Sequence, residues 1–280
     1  MSSAKEIKAI FSEFLKTPNI SLDQFKAVVN RTKQDADKFI KSVNTRMQMY
    51  SSIRTMVKEQ YGIDGEEYKY LKTLVVSDRD RRERKEKADE RVMKANTNQT
   101  VLPKAKLFEF MKHLMSGTPD IKDRAIMLQL ASGSRLIEIL HSDFKYTQST
   151  IGSNIIQNNV AKNSKEQYRS VDKPIIFMKP SVFISELALL RKELDQRVDD
   201  TYHSLGQRYT SVINNRIVET GKIVGAQIKT SHDLRRIYAC LSYELMGVNN
   251  KNMSQQAWIR SVLGHSDFTS TANYCTFQLV

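Results

Sequence analysis

The sequence predicts a mainly α-helical protein with one small antiparallel β-sheet, an α+β chain divided into a helical N-terminal domain and a larger second domain. Three observations lead there. Apolar residues recur at three- and four-residue intervals through most of the chain. The stretch from Phe144 to Phe177 breaks that rhythm, setting short runs of Ile and Val among Thr, Asn and Gln. A polar, aperiodic segment ending at Pro103 separates two regions that are each periodic. With 280 residues, 40% of them hydrophobic and 27% charged, the chain can bury one sizeable core or two modest ones.

The first domain is expected over residues 1–93. Residues 4 to 16 read as a short amphipathic helix with Ile7, Ile10, Phe11, Phe14 and Leu15 on one side, stopped at Thr17-Pro18. Ser21-Leu-Asp-Gln24 has the form of a capping box and opens a long helix, or two with a bend, marked by Phe25, Val28, Val29, Phe39, Ile40, Val43, Met47, Ile53, Met56 and Val57. Met47, Met49, Met56 and Phe39 read as core or helix-contact residues. Tyr61-Gly-Ile-Asp-Gly65 breaks the pattern, and Glu66 to Val76 adds a further helix with Tyr68, Leu71 and Leu74 inward. From Asp78 to Arg91 almost every residue is charged, with both signs interspersed. That pattern fits a solvated helix laced with local ion pairs, the alternative being a basic strap along a polyanion.

Residues 94–103 are expected to form the interdomain linker, since Lys94-Ala-Asn-Thr-Asn-Gln-Thr100 is polar and Pro103 marks a new start. The second domain, 104–280, opens with a helix carrying Leu107, Phe108, Met111 and Leu114. After the Gly117-Thr-Pro119 turn a second helix runs from Ile121 to Ser132. The small sheet follows, with a turn at Asn163-Ser164. Helices are then expected from Pro180 to about Val198, Tyr202 to Glu219, His232 to Met246 and Ser254 to Leu263. Trp258 and Val262 read as the apolar face of the last of these, and Tyr238 and Tyr243 as packing.

Composition narrows the function. The chain has 44 basic and 31 acidic residues, a formal charge of +13 and a sequence pI near 9.6, which points to a polyanionic partner. Nucleic acid fits better than a membrane, because no apolar run approaches the ~20 residues a bilayer span needs and the N-terminus lacks a signal-peptide apolar region. The protein is therefore expected to work in the cytoplasm or nucleus. Cys240 and Cys275 are the only cysteines, with no Cys/His cluster at zinc spacing, so they read as free thiols and neither a disulfide framework nor a structural metal is indicated.

The chemistry concentrates in three segments. Leu263-Gly264-His265 is a tight turn ending a helix, and Tyr274 follows nine positions after His265. Thirty residues before His265 lies His232-Asp-Leu-Arg235, and a hundred before Arg235 lies Gly133-Ser-Arg135-Leu-Ile-Glu138. Taken in this order and spacing, the motifs resemble the tyrosine recombinase superfamily, the DNA strand-exchange enzymes that include phage integrases, invertases and telomere resolvases. The motifs cover residues 104–280; residues 1–103 match only in layout, as a helical core-binding domain.

The resemblance implies a site-specific recombinase that cuts and rejoins double-stranded DNA through a 3′-phosphotyrosyl link to Tyr274, with a free 5′-hydroxyl and no metal or other cofactor. Arg135 and Arg235 would clamp non-bridging phosphate oxygens, a task suited to the planar, permanently charged guanidinium. His232, one turn before Arg235, would take or relay the tyrosine proton, and His265 would hydrogen-bond the phosphate. Glu138 would orient Arg135. The family also uses a lysine on a turn of the small sheet as general acid; Lys162, which ends a predicted strand, is preferred, with Lys165 across the turn and Lys173 as the other candidates.

The resemblance further implies a homodimer or tetramer on DNA and a virus- or mobile-element-encoded origin. The segments Ser231 to Tyr238 and Tyr274-Cys-Thr-Phe-Gln-Leu279 look more like the telomere resolvases than the common phage integrases, although telomere resolvases are usually longer. Only six residues follow Tyr274, so Phe277, Leu279 and Val280 are expected to pack in cis or pair as a short strand. A type IB topoisomerase is the nearer competing reading, disfavoured by His232, and a non-catalytic DNA-binding protein is disfavoured by the intact set of Arg, His and Tyr.

Overall fold

The computed structural model describes residues 3–149, 152–158, 170–194, 202–248, 253–265, 271, 274 and 276–280. They form two compact units, Met1–Arg91 and Val92–Val280.

In the first unit, α1 (Ala4–Leu15) and α2 (Leu22–Phe39) each begin with a complete capping box, at Ser3/Glu6 and Ser21/Gln24. The long helical pattern resolves into two helices, because Ile40 is extended and the Ser42 hydroxyl caps α3 (Val43–Tyr61) at the Thr45 amide. Phe11 and Phe25, both fully buried, meet edge to face at 6.1 Å. Phe39, expected inward, lies largely in solvent, while Met49 is buried and Met47 and Met56 pack at the margin. The expected helix after Gly65 is short: α4 (Glu66–Tyr70) tightens into a 3₁₀ turn, Leu71–Thr73, which buries Leu71, and Leu74 follows it into the core.

The charged run is helical, as α5 (Asp78–Thr97), and its described residues are largely exposed. Its ion pairs are local, Arg79 with Glu83 and Arg81 with Asp78. Its start is tied to the core by the buried Arg46, which reaches Asp80 at 2.9 Å and Asp37 at 3.2 Å. The expected linker at 94–103 has regular structure: α5 continues through Thr97, and β1 (Thr100–Leu102) follows.

The second unit is built around α7 (Ile121–Ser132), in which every residue from Asp123 to Ser132 is buried. Such a helix needs neighbours on all sides. They are α6 (Lys104–Met115), α8 (Leu136–His141), α9 (Pro180–Glu193), α10 (Tyr202–Val224) and α11 (Ser231–Ser242). The two buried charged residues of α7 sit near its N-terminus and are paired outward, Asp123 with Arg216 of α10, Arg124 with Glu186 and Glu193 of α9. The last turn of α11 widens into a π-helical turn, Tyr243–Gly247, and α12 (Gln255–Leu263) is capped by Ser254.

The antiparallel sheet has the order β2 (Phe144–Ser149), β3 (Gly152–Gln157), β4 (Val171–Pro174). A second sheet pairs β1 in parallel with β5 (Phe277–Leu279), Thr100 opposite Phe277 and Leu102 opposite Leu279. The C-terminal segment thus pairs in cis as a strand.

Candidate active site

Two helix ends and a buried cation organise the site. α7 stops at Gly133, which adopts φ 62°, ψ 14°, and α12 stops at Gly264 with φ 66°. At Gly133 glycine is also required by space: a Cβ would lie 2.1 Å from the Tyr238 ring. Tyr238 is fully buried there, its hydroxyl donating to the Pro174 carbonyl at 2.9 Å. This contact seats α11 against the end of α7 and brings Arg235, one turn earlier, beneath both helix ends.

Arg235 is buried, with 1% exposure. Nη1 donates to the Gly133 carbonyl and Nη2 to the Leu263 carbonyl at 2.8 Å, so the guanidinium caps the C-termini of α7 and α12 at once. A cation is stabilised where helix carbonyls are left unsatisfied. Its Nε donates to the Tyr274 hydroxyl oxygen at 3.3 Å. Glu138 supplies the counter-charge, its Oε2 3.8 Å from Arg235 Nη1.

Arg135 stands at the N-cap of α8. Its amide donates to Glu138 Oε2 at 2.8 Å and its Nη1 to Glu138 Oε1 at 2.6 Å. Arg135 keeps part of its side chain in solvent, whereas Glu138 has none. Burial pushes the Glu138 carboxyl up, but the charges of Lys173, Arg235 and Arg135, with the Arg135 amide, hold it down at about 2. Glu138 is therefore a fixed anion that orients two guanidinium groups, the orienting role expected for it.

His232 begins α11, whose N-terminus is fixed by a capping box between Thr230 and Asp233. Its ring centroid lies 5.4 Å from that of Tyr274, while one side remains open to solvent. Desolvation, then Arg236 and Arg235, push the imidazole down to about 4 against Asp233. It is neutral at pH 7. His265 follows the Gly264 turn, buried, its ring 4.7 Å from Tyr274 and its Nδ1 3.3 Å from Thr271 Oγ1. Tyr274 is itself buried among these groups, with the Cys240 thiol 3.5 Å from its carbonyl oxygen.

Five of the six residues singled out from the sequence, Arg135, His232, Arg235, His265 and Tyr274, thus come together. The sixth, Lys162, lies outside the described residues, as do Lys165, the turn at Asn163-Ser164 and Cys275. Lys173, the remaining lysine candidate, is on β4 with no exposure, its Nζ donating to Ser134 Oγ at 3.1 Å. Ser134, Gln157 and Cys240 escaped the sequence reading. For Lys173 the alternation Val171, Asp172, Lys173 already placed it on an inward face.

No protein-family model matches the chain, and no curated protein matches it by sequence. Solved structures do match, and the chain shares the fold of protelomerases. Protelomerase TelA covalently complexed with substrate DNA superposes with a TM-score of 0.78 at 15% identity, over 100% of this chain and 89% of that one. A TelA variant complexed with a DNA hairpin product gives 0.78 at 14%, over 99% and 88%. Protelomerase TelK complexed with substrate DNA gives 0.58 at 18%, over 99% of this chain and 58% of that one. The likeness to TelA spans both units.

Proposed function

We propose that this protein cleaves and rejoins double-stranded DNA by transesterification, Tyr274 forming a 3′-phosphotyrosyl intermediate. The observation that carries the proposal is the convergence of Arg235, His232 and His265 on Tyr274, with Arg135 held beside Arg235 by the Glu138 carboxylate they share. In the forward step the Tyr274 oxygen attacks the scissile phosphorus, the P–O5′ bond breaks, and the phenolic proton passes to His232, a neutral imidazole at pH 7. Arg235 already donates to the attacking oxygen, and with Arg135 it stabilises the charge of the pentacoordinate transition state. His265 hydrogen-bonds a non-bridging oxygen. The departing 5′ oxygen takes its proton from a lysine in the segment joining β3 to β4, Lys162 or Lys165. Rejoining is the reverse, a 5′-hydroxyl attacking the phosphotyrosine.

Among the solved structures that share this fold is a TelA variant complexed with a DNA hairpin product. That likeness favours telomere resolution, in which each strand is rejoined to its complement as a hairpin, over integration or excision. The chain would act as a homodimer or tetramer on an inverted repeat, in the cytoplasm or nucleus. Among the described residues no helix is long and apolar enough to cross a membrane.

A suicide substrate nicked near the cut tests the chemistry on a denaturing gel: the parent protein should yield a covalent adduct and Tyr274→Phe none, with DNA affinity nearly unchanged. Adducts that persist in Tyr274→Phe would sink the assignment. An inverted-repeat substrate then separates the outcomes, because hairpin-ended products denature and snap back, whereas exchange products do not.

A further inference from the structure

We propose that Lys173 is a positioning residue for the cleavage reaction, holding Ser134 and Glu138, and through them Arg135, in the arrangement that receives the scissile phosphate. The inference rests on the reaction read above. Lys173 lies on β4, opposite Ile155 of β3, and has no exposed surface. Its Nζ donates to Ser134 Oγ at 3.1 Å, and that hydroxyl donates in turn to Gln157 Oε1 of β3 at 3.0 Å. Ser134, also without exposure, immediately precedes Arg135. One chain of hydrogen bonds therefore ties two strands of the sheet to the residue just before Arg135, the N-cap of α8.

The electrostatics point the same way. The charged groups acting on Lys173 are Glu138, Arg235 and Arg135. Burial and the two guanidinium groups push its pKa well below the usual lysine range, and Glu138 opposes them. A lysine here is costly compared with an apolar side chain of similar length, which would need no desolvation. What it supplies is a donor to Ser134 and a share of the field that fixes Glu138. Its burial separates it from the general acid, which must reach the 5′ oxygen of DNA.

The test measures single-turnover adduct formation by the full chain for Lys173→Met and Ser134→Ala, each alone and combined with Arg135→Ala. Lys173→Met should slow cleavage by about 10²-fold, the scale of a catalytic group misplaced by an ångström. The combined variants should be no slower than Arg135→Ala alone, because groups acting through one another are not additive. A 5′-bridging phosphorothiolate should not rescue Lys173→Met. Losses that multiply with Arg135→Ala overturn the inference, as does rescue by the 5′-sulfur, which would make Lys173 the acid. Should Lys173→Met fail to fold, Ser134→Ala decides, and a rate equal to the parent's overturns the inference. A parent chain that forms no Tyr274-dependent adduct sinks the function and the inference together, whereas an active parent matched by Lys173→Met and Ser134→Ala sinks the inference alone.

Discussion

A guanidinium can be kept dry here because its partners are helix ends. Arg235 donates to carbonyls at the ends of α7 and α12 and to Tyr274, and Glu138 balances its charge. A lysine at this position has one nitrogen and cannot span two helix termini and the phenol. Arg235→Lys should lower stability by roughly 3 kcal/mol, the cost of breaking a buried ionic network, and denaturant unfolding will read it. Glu138 sets a pH dependence. Its folded value of about 2 lies below the ordinary carboxyl value of 4.5, so its contribution to stability is complete above about pH 4.5 and is lost as pH falls toward 2. Unfolding midpoints measured between pH 2 and 5 should fall with acid in the parent and less steeply in Glu138→Gln. His232 behaves differently: with its pKa near 4, the imidazole stays unprotonated through pH 5.5, and under the proposed mechanism the rate of adduct formation should show no inflection near pH 6.5. An inflection there that vanishes in His232→Gln would contradict a neutral base.

At the scale of elements, the site depends on how helices stop. Gly133 ends α7 in the left-handed region with the Tyr238 ring against its α-carbon, so Gly133→Ala meets both backbone strain and an overpacked contact. A loss of roughly 2 to 4 kcal/mol is expected from the two together. Thermal unfolding will show it, and cleavage should fall further than stability explains, since Gly133 also supplies a carbonyl to Arg235. The strand after Tyr274 has the complementary role. Phe277 and Leu279 are buried, the Thr100 amide donates to the Thr276 carbonyl at 2.9 Å, and Lys104 N donates to the Val280 carbonyl at 2.7 Å. The chain on the C-terminal side of Tyr274 is thereby fastened to the start of its own unit. Phe277→Ala should cost about 3 kcal/mol and slow adduct formation more than it weakens DNA binding.

For the whole molecule, the division at Arg91 and Val92 changes which fragment should stand alone. A fragment starting at residue 104 omits β1 and leaves β5 an unpaired edge, whereas one starting at residue 92 keeps the pair. Residues 92–280 should therefore melt cooperatively and residues 104–280 at a markedly lower temperature. Binding of the full chain to DNA should weaken steeply with salt, as expected when a protein of charge +13 displaces counterions from phosphates. Residues 92–280 alone should bind at least tenfold more weakly than the full chain, given the effective concentration that linkage provides. Equal affinities would show that residues 1–91 contribute nothing to binding.

The sequence by itself determined the local elements and pointed to the candidate reacting groups. The capping box formed by Ser21 and Gln24, the proline that opens α9 and the glycines after α7 and α12 are short-range chemistry, readable within a few residues. Arg135, His232, Arg235, His265 and Tyr274 were legible because their order and spacing along the chain resemble a known pattern. The charged run was legible as a helix, but its end was not, because a solvated helix and a loop share a composition, and α5 runs on through Thr97. What only the tertiary structure decided depends on partners far apart in sequence. A three-residue strand has no signal of its own until β5 pairs with β1 across more than 170 residues. Phe39 reads as core by period and lies in solvent because the chain turns at Ile40. Lys173 was legible as an inward-facing lysine of the small sheet, but its role as a buried donor to Ser134 appears only when β4 closes on the end of α7, because hydrogen bonding across elements is a property of the packed chain.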